Sequence, residues 1–235
     1  MSDPPDATAR SASEPIKGVI FDAYGTLLRN EDLRLIPQRL VADHRLSVDV
    51  DDVWRTWVDL YHEATQSTPF RTLRAIEEEI LARIARRVGL EADMAPYVEL
   101  FFQVTTKVEL YPEALPVLTT LAPARCGIVS NADHEHVSAW PGALPVEFIL
   151  ISEALGAYKP DPRVFEAALE RLGLEPHEVL HVGDSDVDDI QGARAAGVRV
   201  AWINRDGRPR RAGVPAPDYE FRDLTALPAL VARSA

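Results

Sequence analysis

The run Val19-Ile20-Phe21-Asp22-Ala23-Tyr24-Gly25-Thr26-Leu27 decides the fold. Val19-Ile20-Phe21 is a short apolar stretch of the kind that forms a strand buried on both faces. Asp22 stands where that strand should end, and Gly25 permits a tight turn just beyond it. Open α/β sheets build their sites outside the C-terminal ends of the strands. The run therefore sets a carboxylate at such an end. Tyr24 is the odd member, because a second carboxylate would be useful where it stands.

Working outward, four more apolar runs resemble the first: Gly127-Ile128-Val129, Phe148-Ile149-Leu150-Ile151, Val179-Leu180-His181-Val182 and Val198-Arg199-Val200-Ala201-Trp202-Ile203. Helical patterns separate most of them. Strands alternating with helices predict an α/β fold, a Rossmann-like parallel sheet with helices on both faces. The helix before Val179 is well marked. Asp161 can cap it, Pro162 suits its first turn and Gly173 can end it, with Val164, Phe165, Ala168, Leu169 and Leu172 on one face. After the same strand, Gly192, Ala193, Ala195 and Ala196 allow a closely packed helix that Gly197 can close.

Residues 29–110 break the alternation. They contain no convincing strand and read as several helices. The clearest runs from Leu73 to Val88, with Leu73, Ile76, Ile80, Ile84 and Val88 on one stripe. Glu77, Glu78 and Glu79 precede Arg83, Arg86 and Arg87, the order that suits the helix dipole. Inserted directly after the Asp22 loop, this block would lie over the strand ends. The expected organisation is a discontinuous core of residues 16–28 and 111–235, an inserted all-helical cap of residues 29–110, and a disordered N-terminus of residues 1–15.

The formal net charge of −12 argues against non-specific binding to nucleic acid or an anionic membrane. It leaves room for a small anionic substrate held by local positive groups. Cys126 is the single cysteine, so no intrachain disulfide forms, and its apolar run predicts a buried thiol. The first fifteen residues lack the apolar core of a secretory signal, and no run is long enough to span a membrane. A cytoplasmic monomer or homodimer is expected.

Four polar clusters fall at or just after the expected strand ends. They are Asp22 to Thr26, Ser130-Asn131, Lys159-Pro160, and Gly183-Asp184-Ser185-Asp186-Val187-Asp188-Asp189. Each alone has an ordinary explanation as a cap, a turn or a solvated acidic loop. Together, in this order, they read as one site. In them the chain resembles the haloacid dehalogenase superfamily of hydrolases, from about Ile16 to Leu227, and the helical insert falls where that superfamily has its cap.

The resemblance implies Asp22 as a nucleophile that attacks phosphorus or a halogenated carbon, giving a covalent intermediate that water hydrolyses. It implies that Thr26 holds the nucleophile loop. Ser130, with backbone N–H groups near Asn131, would bind the anionic group, and Lys159 would neutralise charge between nucleophile and substrate. Asp184 would bind Mg2+ with Asp22 and the backbone carbonyl of Tyr24, while Asp189 would order the ion's waters or ligate it. Mg2+ favours few carboxylates, several waters and a substrate phosphate.

Two features oppose each other. Phosphatases of the superfamily carry an Asp at the position of Tyr24, where it protonates the leaving alcohol. Asp-Ala-Tyr-Gly-Thr is instead similar to the dehalogenases, whose halide leaves without a proton. Those enzymes work without metal and typically have Ser and Asn where this chain has Asp184 and Asp186. A metal-free Asp184 would repel both Asp22 and an anionic haloacid. Phe165 also stands where dehalogenases often have Tyr. A dehalogenase needs an Arg near the halide, and Arg34, Arg39, Arg55 and Arg71 lie in the cap region. The balance favours a Mg2+-dependent phosphatase, with a 2-haloacid dehalogenase as the alternative and a non-catalytic binding protein as the third reading. Three routes answer the missing acid: a substrate with a good leaving group such as an acyl or aryl phosphate, an acid from the cap such as Glu63 or His62, or a slow enzyme. Trp54, Trp57 and Tyr61 read as helix packing, His134 and His136 as solvated, His181 as a core residue, and 205–218 as a solvated connection.

Overall fold

The computed structural model describes residues 14–29 and 32–233. Of the tail expected at 1–15, only Glu14 and Pro15 fall among the described residues. Their carbonyls accept hydrogen bonds from the Arg199 guanidinium at 2.9 and 3.4 Å.

In chain order the elements are β1 (Gly18–Phe21), β2 (Leu28–Arg29), α1 (Leu35–Asp43), α2 (Val50–Thr65), α3 (Leu73–Arg87), α4 (Ala95–Thr106), β3 (Glu109–Leu110), α5 (Ala114–Thr120) and β4 (Arg125–Ser130). There follow α6 (His134–Ser138), β5 (Phe148–Ile151), α7 (Ser152–Leu155), α8 (Pro162–Leu172), β6 (Val179–Gly183), a π-helical turn at Asp186–Gln191, α9 (Gly192–Ala195), β7 (Arg199–Ile203), β8 (Tyr219–Phe221) and α10 (Leu227–Arg233).

Six strands form one parallel sheet in the order β5-β4-β1-β6-β7-β8. The chain runs outward from β1 through β4 and β5, then returns to the other side of β1 for β6. Strand order thus reverses beside β1, and a crevice opens at the C-terminal ends of β1, β4 and β6. Alternating side chains fill the two faces. Val19, Phe21, Ile128, Leu180 and Val182 pack with Leu118 of α5 and Leu230 of α10. Ile20, Val129, Val179 and Val200 pack with Phe165, Ala168 and Leu172 of α8. Fully burying one such large side chain contributes about 1.5–3 kcal/mol. The cap and stop residues of α8 act as the sequence predicts: Asp161 accepts from the Arg163 N–H at 3.0 Å, and Gly173 ends the helix in the left-handed conformation.

The five expected strands are all present, and β8 is an addition that the alternation did not signal. Its three residues carry no apolar run long enough to stand out. The helical block departs from expectation at both ends. Leu28–Arg29 and Glu109–Leu110 pair as an antiparallel ribbon that forms a neck between the block and the sheet. Above the neck, α1 to α4 surround their own core, including Ile36, Leu40, Trp57, Ile76, Ile80, Ile84, Val98 and Phe101. Within α3 the expected stripe holds, but Val88 falls at the C-cap, and Glu77 joins the buried face with no exposure.

Candidate active site

Asp22 emerges from the central strand with its N–H bonded to the Val182 carbonyl of β6 (2.8 Å), and its side chain is buried. Lys159 reaches it from beyond α7. The Lys159 ammonium donates to Asp22 Oδ1 at 2.5 Å and to Asp189 Oδ1 at 2.7 Å. Asn131 fixes the Lys159 backbone from both sides: its Oδ1 accepts from the Lys159 N–H at 2.8 Å, and its Nδ2 donates to the carbonyl at 3.2 Å. Asp189 lies on the π-helical turn after β6. One of its oxygens meets Lys159 and His181 Nε2 (2.9 Å), while the other accepts from the Ser185 N–H (2.8 Å).

Two glycines make this crowding possible. Gly25 has φ of +79°, and a Cβ there would lie 2.4 Å from Asp184 Oδ2. A Cβ on Gly183 would lie 2.2 Å from Asp189 Cγ.

The charges are unbalanced. Burial opposes the charge on Lys159, but Asp189 and Asp22 outweigh it and raise its pKa above the ordinary value. Burial likewise opposes ionisation of Asp189, yet Lys159 and His181 hold its pKa below the usual carboxylate range. Asp22 is raised by burial despite Lys159. Asp184 is raised well above the usual range by burial and by the like charges of Asp22 and Asp189. Ligand atoms of Asp22, Asp184 and Asp189 all lie within 4.8 Å of one another. Among the described residues, none donates a hydrogen bond to the Asp184 carboxylate. Its backbone carbonyl, by contrast, accepts from Trp202 Nε1 (2.7 Å) and Arg208 Nη2 (2.6 Å). A trio of clustered hard oxygen donors with one ammonium between two of them fits a divalent cation.

A cavity of about 400 Å³ opens above these groups. Its sheet side holds Asp22, Ser130, Asn131, Lys159, Asp184, Asp188 and Asp189; its other side holds Leu33, Trp54, Trp57, Val58, Tyr61, His62, Glu77, Phe101 and Thr105. Ser130 Oγ is buried on its wall and has no partner. Seven of the eight candidate residues read from the sequence line this cavity. Thr26 does not: it is buried behind the loop, and its hydroxyl is unpartnered. The loop is held instead by Arg205, which donates to the Gly25 and Thr26 carbonyls at 3.0 Å each.

Tyr24 is pinned. Its hydroxyl donates to the Thr105 carbonyl of α4 at 2.9 Å and accepts from Trp140 Nε1 at 3.1 Å. Burial raises its pKa above the ordinary value. Of the two cap carboxylate or imidazole candidates, Glu63 is exposed and paired with Arg83, whereas His62 lines the cavity. His62 Nε2 meets Arg211 Nη1 at 3.2 Å, and burial together with Arg211 lowers its pKa.

Several readings change. His136 is buried, not solvated: its Nδ1 accepts from the Asp133 N–H, and burial lowers its pKa to about 4. Trp54, Trp57 and Tyr61 pack the helices and also line the cavity. The 205–218 segment is no idle connection, since Arg205, Arg208 and Arg211 all reach the site. Asp133 joins the two halves by accepting from the Leu73 and Arg74 N–H groups at the start of α3 (3.1 and 3.3 Å). Glu77 escaped the sequence reading because Glu78 and Glu79 beside it disguised it as one of three surface acids.

A buried carboxylate, a buried ammonium and an acidic turn thus meet beyond the ends of β1, β5 and β6. Residues 16–197 match the model for haloacid dehalogenase-like hydrolases, and the chain belongs to that family. It is 35% identical over 174 residues to a phosphoserine phosphatase of Thermus thermophilus, covering 68% of this chain and 69% of that protein. It is 29% identical to (S)-2-haloacid dehalogenase 4A of Burkholderia cepacia, covering 90% of each. Among solved structures, a 2-haloacid dehalogenase of Pseudomonas syringae superposes with a TM-score of 0.64 at 30% identity, over 94% of this chain and all of that one. No helix among the described residues is long and apolar enough to cross a membrane.

Proposed function

We propose that the chain is a Mg2+-dependent phosphatase of small phosphorylated metabolites. The observation that carries this reading is Asp184, a carboxylate without a hydrogen-bond donor, set among Asp22 and Asp189. A metal-free dehalogenase would have to keep that carboxylate beside both its nucleophile and an anionic haloacid. The likeness to a phosphoserine phosphatase agrees with a small phosphorylated substrate.

In this reading Asp22 attacks phosphorus, the bond to the leaving oxygen breaks, and water later hydrolyses the aspartyl phosphate. Lys159 opposes the effect of burial on Asp22 and aims its carboxylate, since the ammonium lies 2.5 Å from Oδ1. The free Ser130 hydroxyl and the backbone near Asn131 bind phosphoryl oxygens. Asp22, Asp184 and the Tyr24 carbonyl would hold Mg2+, which when bound supplies positive charge to the phosphoryl group. Asp189, whose oxygens are already engaged, acts behind them by fixing Lys159. Residues 29–110 serve as the cap over a core of 16–28 and 111–235. Of His62 and Glu63, the two cap groups read as replacements for the acid missing at Tyr24, His62 is the one that lines the cavity.

The second reading, a 2-haloacid dehalogenase, draws on relatives that match nine-tenths of the chain and on Tyr24 itself. Against it, Arg34, Arg39, Arg55 and Arg71 pair with Asp51, Asp43, Asp52 and Glu79, and none lines the cavity. The test is phosphate release from a panel of phosphoesters with and without Mg2+, run beside halide release from 2-haloacids. Phosphate release that requires Mg2+ is expected. Metal-independent halide release overturns the reading, and neither product, with Asp22→Asn indistinguishable from wild type, points to a binding protein.

A further inference from the structure

Several ionisable groups of the cavity, among them Tyr61, Glu77, His136 and Asp188, have no part in the proposed chemistry, and Glu77 is the carboxyl on its helical side. Glu77, on α3, lines the cavity yet has no measurable exposure. Its Oε1 accepts a single long hydrogen bond from Trp57 Nε1 (3.3 Å), and its Oε2 has no partner at all. Among the described residues, no basic side chain pairs with it. A buried, half-satisfied carboxyl is costly, by about 1–3 kcal/mol for one unmade hydrogen bond. The packing alone gives no reason to keep it, because its neighbours on α3, Ile76, Ile80 and Leu81, form an ordinary apolar face.

The surroundings of Glu77 are aromatic. Trp57 stacks edge-on with Trp54 at a centroid distance of 5.7 Å and meets Phe101 at 6.0 Å. Tyr61, one helical turn beyond Trp57, is close enough for Glu77 to raise its pKa, after the larger effects of burial and Asp188. Aromatic faces attract cations, and most strongly where water is excluded. A carboxyl with a free oxygen amid such faces is the complement of an organic ammonium group. Distance from the reacting centre fits as well. Asp22 lies at the end of β1 on the sheet side of the cavity, and Glu77 lies on α3 on the helical side. Glu77 therefore reads the far end of the substrate and does not touch the reacting atoms.

We infer that Glu77, walled by Trp57, Trp54 and Phe101, is a specificity-determining residue that binds a primary ammonium group on the leaving alcohol. The preferred substrates are then phosphomonoesters of amino alcohols. The inference rests on the phosphatase reading above and deepens it. Burial pushes the Glu77 carboxyl up to about 8, opposed only by the Trp57 bond, so the empty site holds no naked buried charge, and the ammonium supplies the partner that ionisation requires.

The experiment compares kcat/KM for aminoethyl, aminopropyl and aminobutyl phosphate with that for propyl and hydroxypropyl phosphate, in wild type and in Glu77→Gln. A desolvated charge-assisted pair predicts a preference of about 10- to 100-fold for the best amino ester over propyl phosphate. That preference is expected to vanish in Glu77→Gln. Equal rates on amino and amine-free esters in wild type overturn the inference. So does a preference for the hydroxyl ester, or an amine preference that survives in Glu77→Gln. If no phosphoester is hydrolysed, the phosphatase reading fails by itself. Titration calorimetry with propanolamine then decides the subsite: saturable binding lost in Glu77→Gln supports it, and no binding overturns it.

Discussion

The two ends of the cavity are built on opposite plans. The sheet end crowds its polar groups on strand termini, where Lys159 ties Asp22 to Asp189 while the Asp184 carboxylate and the Ser130 hydroxyl stay open. The helical end is aromatic and carries one carboxyl with almost no partner. A reacting centre needs groups held to fractions of an ångström, and strand ends in a parallel sheet supply that rigidity. A recognition surface needs shape and a small number of polar anchors. The contrast assigns chemistry to one end and selection to the other, and each substitution below tests that division.

The largest effect belongs to the sheet end. Asp22→Asn removes the carboxylate proposed as the nucleophile while leaving the shape of the side chain, so phosphate release should fall by at least about 10³-fold. Thermal unfolding checks that the variant is folded. Activity within tenfold of wild type would show that the covalent step lies elsewhere and would undo the division between the ends.

The next effect is on stability and belongs to the helical end. Glu77 titrates at about 8 in the folded protein against an ordinary 4.5. The ionisable groups sharing its cavity wall are Tyr61 and His62 on α2 and His136 on α6, and none pairs with it. A carboxyl whose folded pKa is raised costs nothing below its unfolded pKa and destabilises the fold as pH rises towards the folded value. The loss across pH 4.5 to 8 amounts to about 4–5 kcal/mol at full extent. Urea unfolding of wild type and Glu77→Gln at pH 5 and pH 8 should show the substituted protein gaining on wild type as pH rises. A difference independent of pH would mean that Glu77 is not buried as described.

Asp184→Asn probes the sheet end more gently. It removes one of three crowded carboxylates, so the Mg2+ concentration for half-activity should rise by about 10- to 100-fold. In the absence of metal the same change relieves repulsion on Asp22 and Asp189, and the melting temperature should rise. Lower metal affinity with a higher metal-free melting temperature is the expected pair of results. A melting temperature that falls would show that Asp184 carries a structural bond instead.

The sheet end was readable in the sequence because its signals are local. A strand run followed at once by Asp22, or by Gly183-Asp184, states both the element and the position of the carboxylate. Alternation likewise exposed β1 and β4 to β7, whereas β8 and the β2–β3 ribbon were too short to leave a pattern. The helical end was not readable, because burial of Glu77 depends on how α2 and α4 close over α3. Helical spacing does put Glu77 one turn after Leu73 and one before Leu81, on the apolar stripe. That was the available signal, and the adjacent acids masked it. Arg205, Arg208 and Arg211 were hidden for a different reason: their loop is polar throughout, and only its path across the site gives them their partners.

The smallest expected effect concerns the residue that joins the two ends. Tyr24 belongs to the Asp22 loop, yet its hydroxyl is spent on Thr105 of the helical block and on Trp140 of the core. It stands where an acid would serve, and the structure uses the position as a strut. Tyr24→Phe keeps the ring, which meets Trp140 and His136 edge-on, and deletes only the two hydrogen bonds. Trp140 Nε1 is left without that acceptor, so the loss should be about 1–2 kcal/mol, read as a lower urea midpoint at unchanged slope. Turnover should change little, because the hydroxyl is committed to these partners and is held in its protonated form by burial. A fall in kcat of tenfold or more with stability intact would assign the hydroxyl to the reaction, and would carry chemistry across to the residue that now marks the border between the two ends.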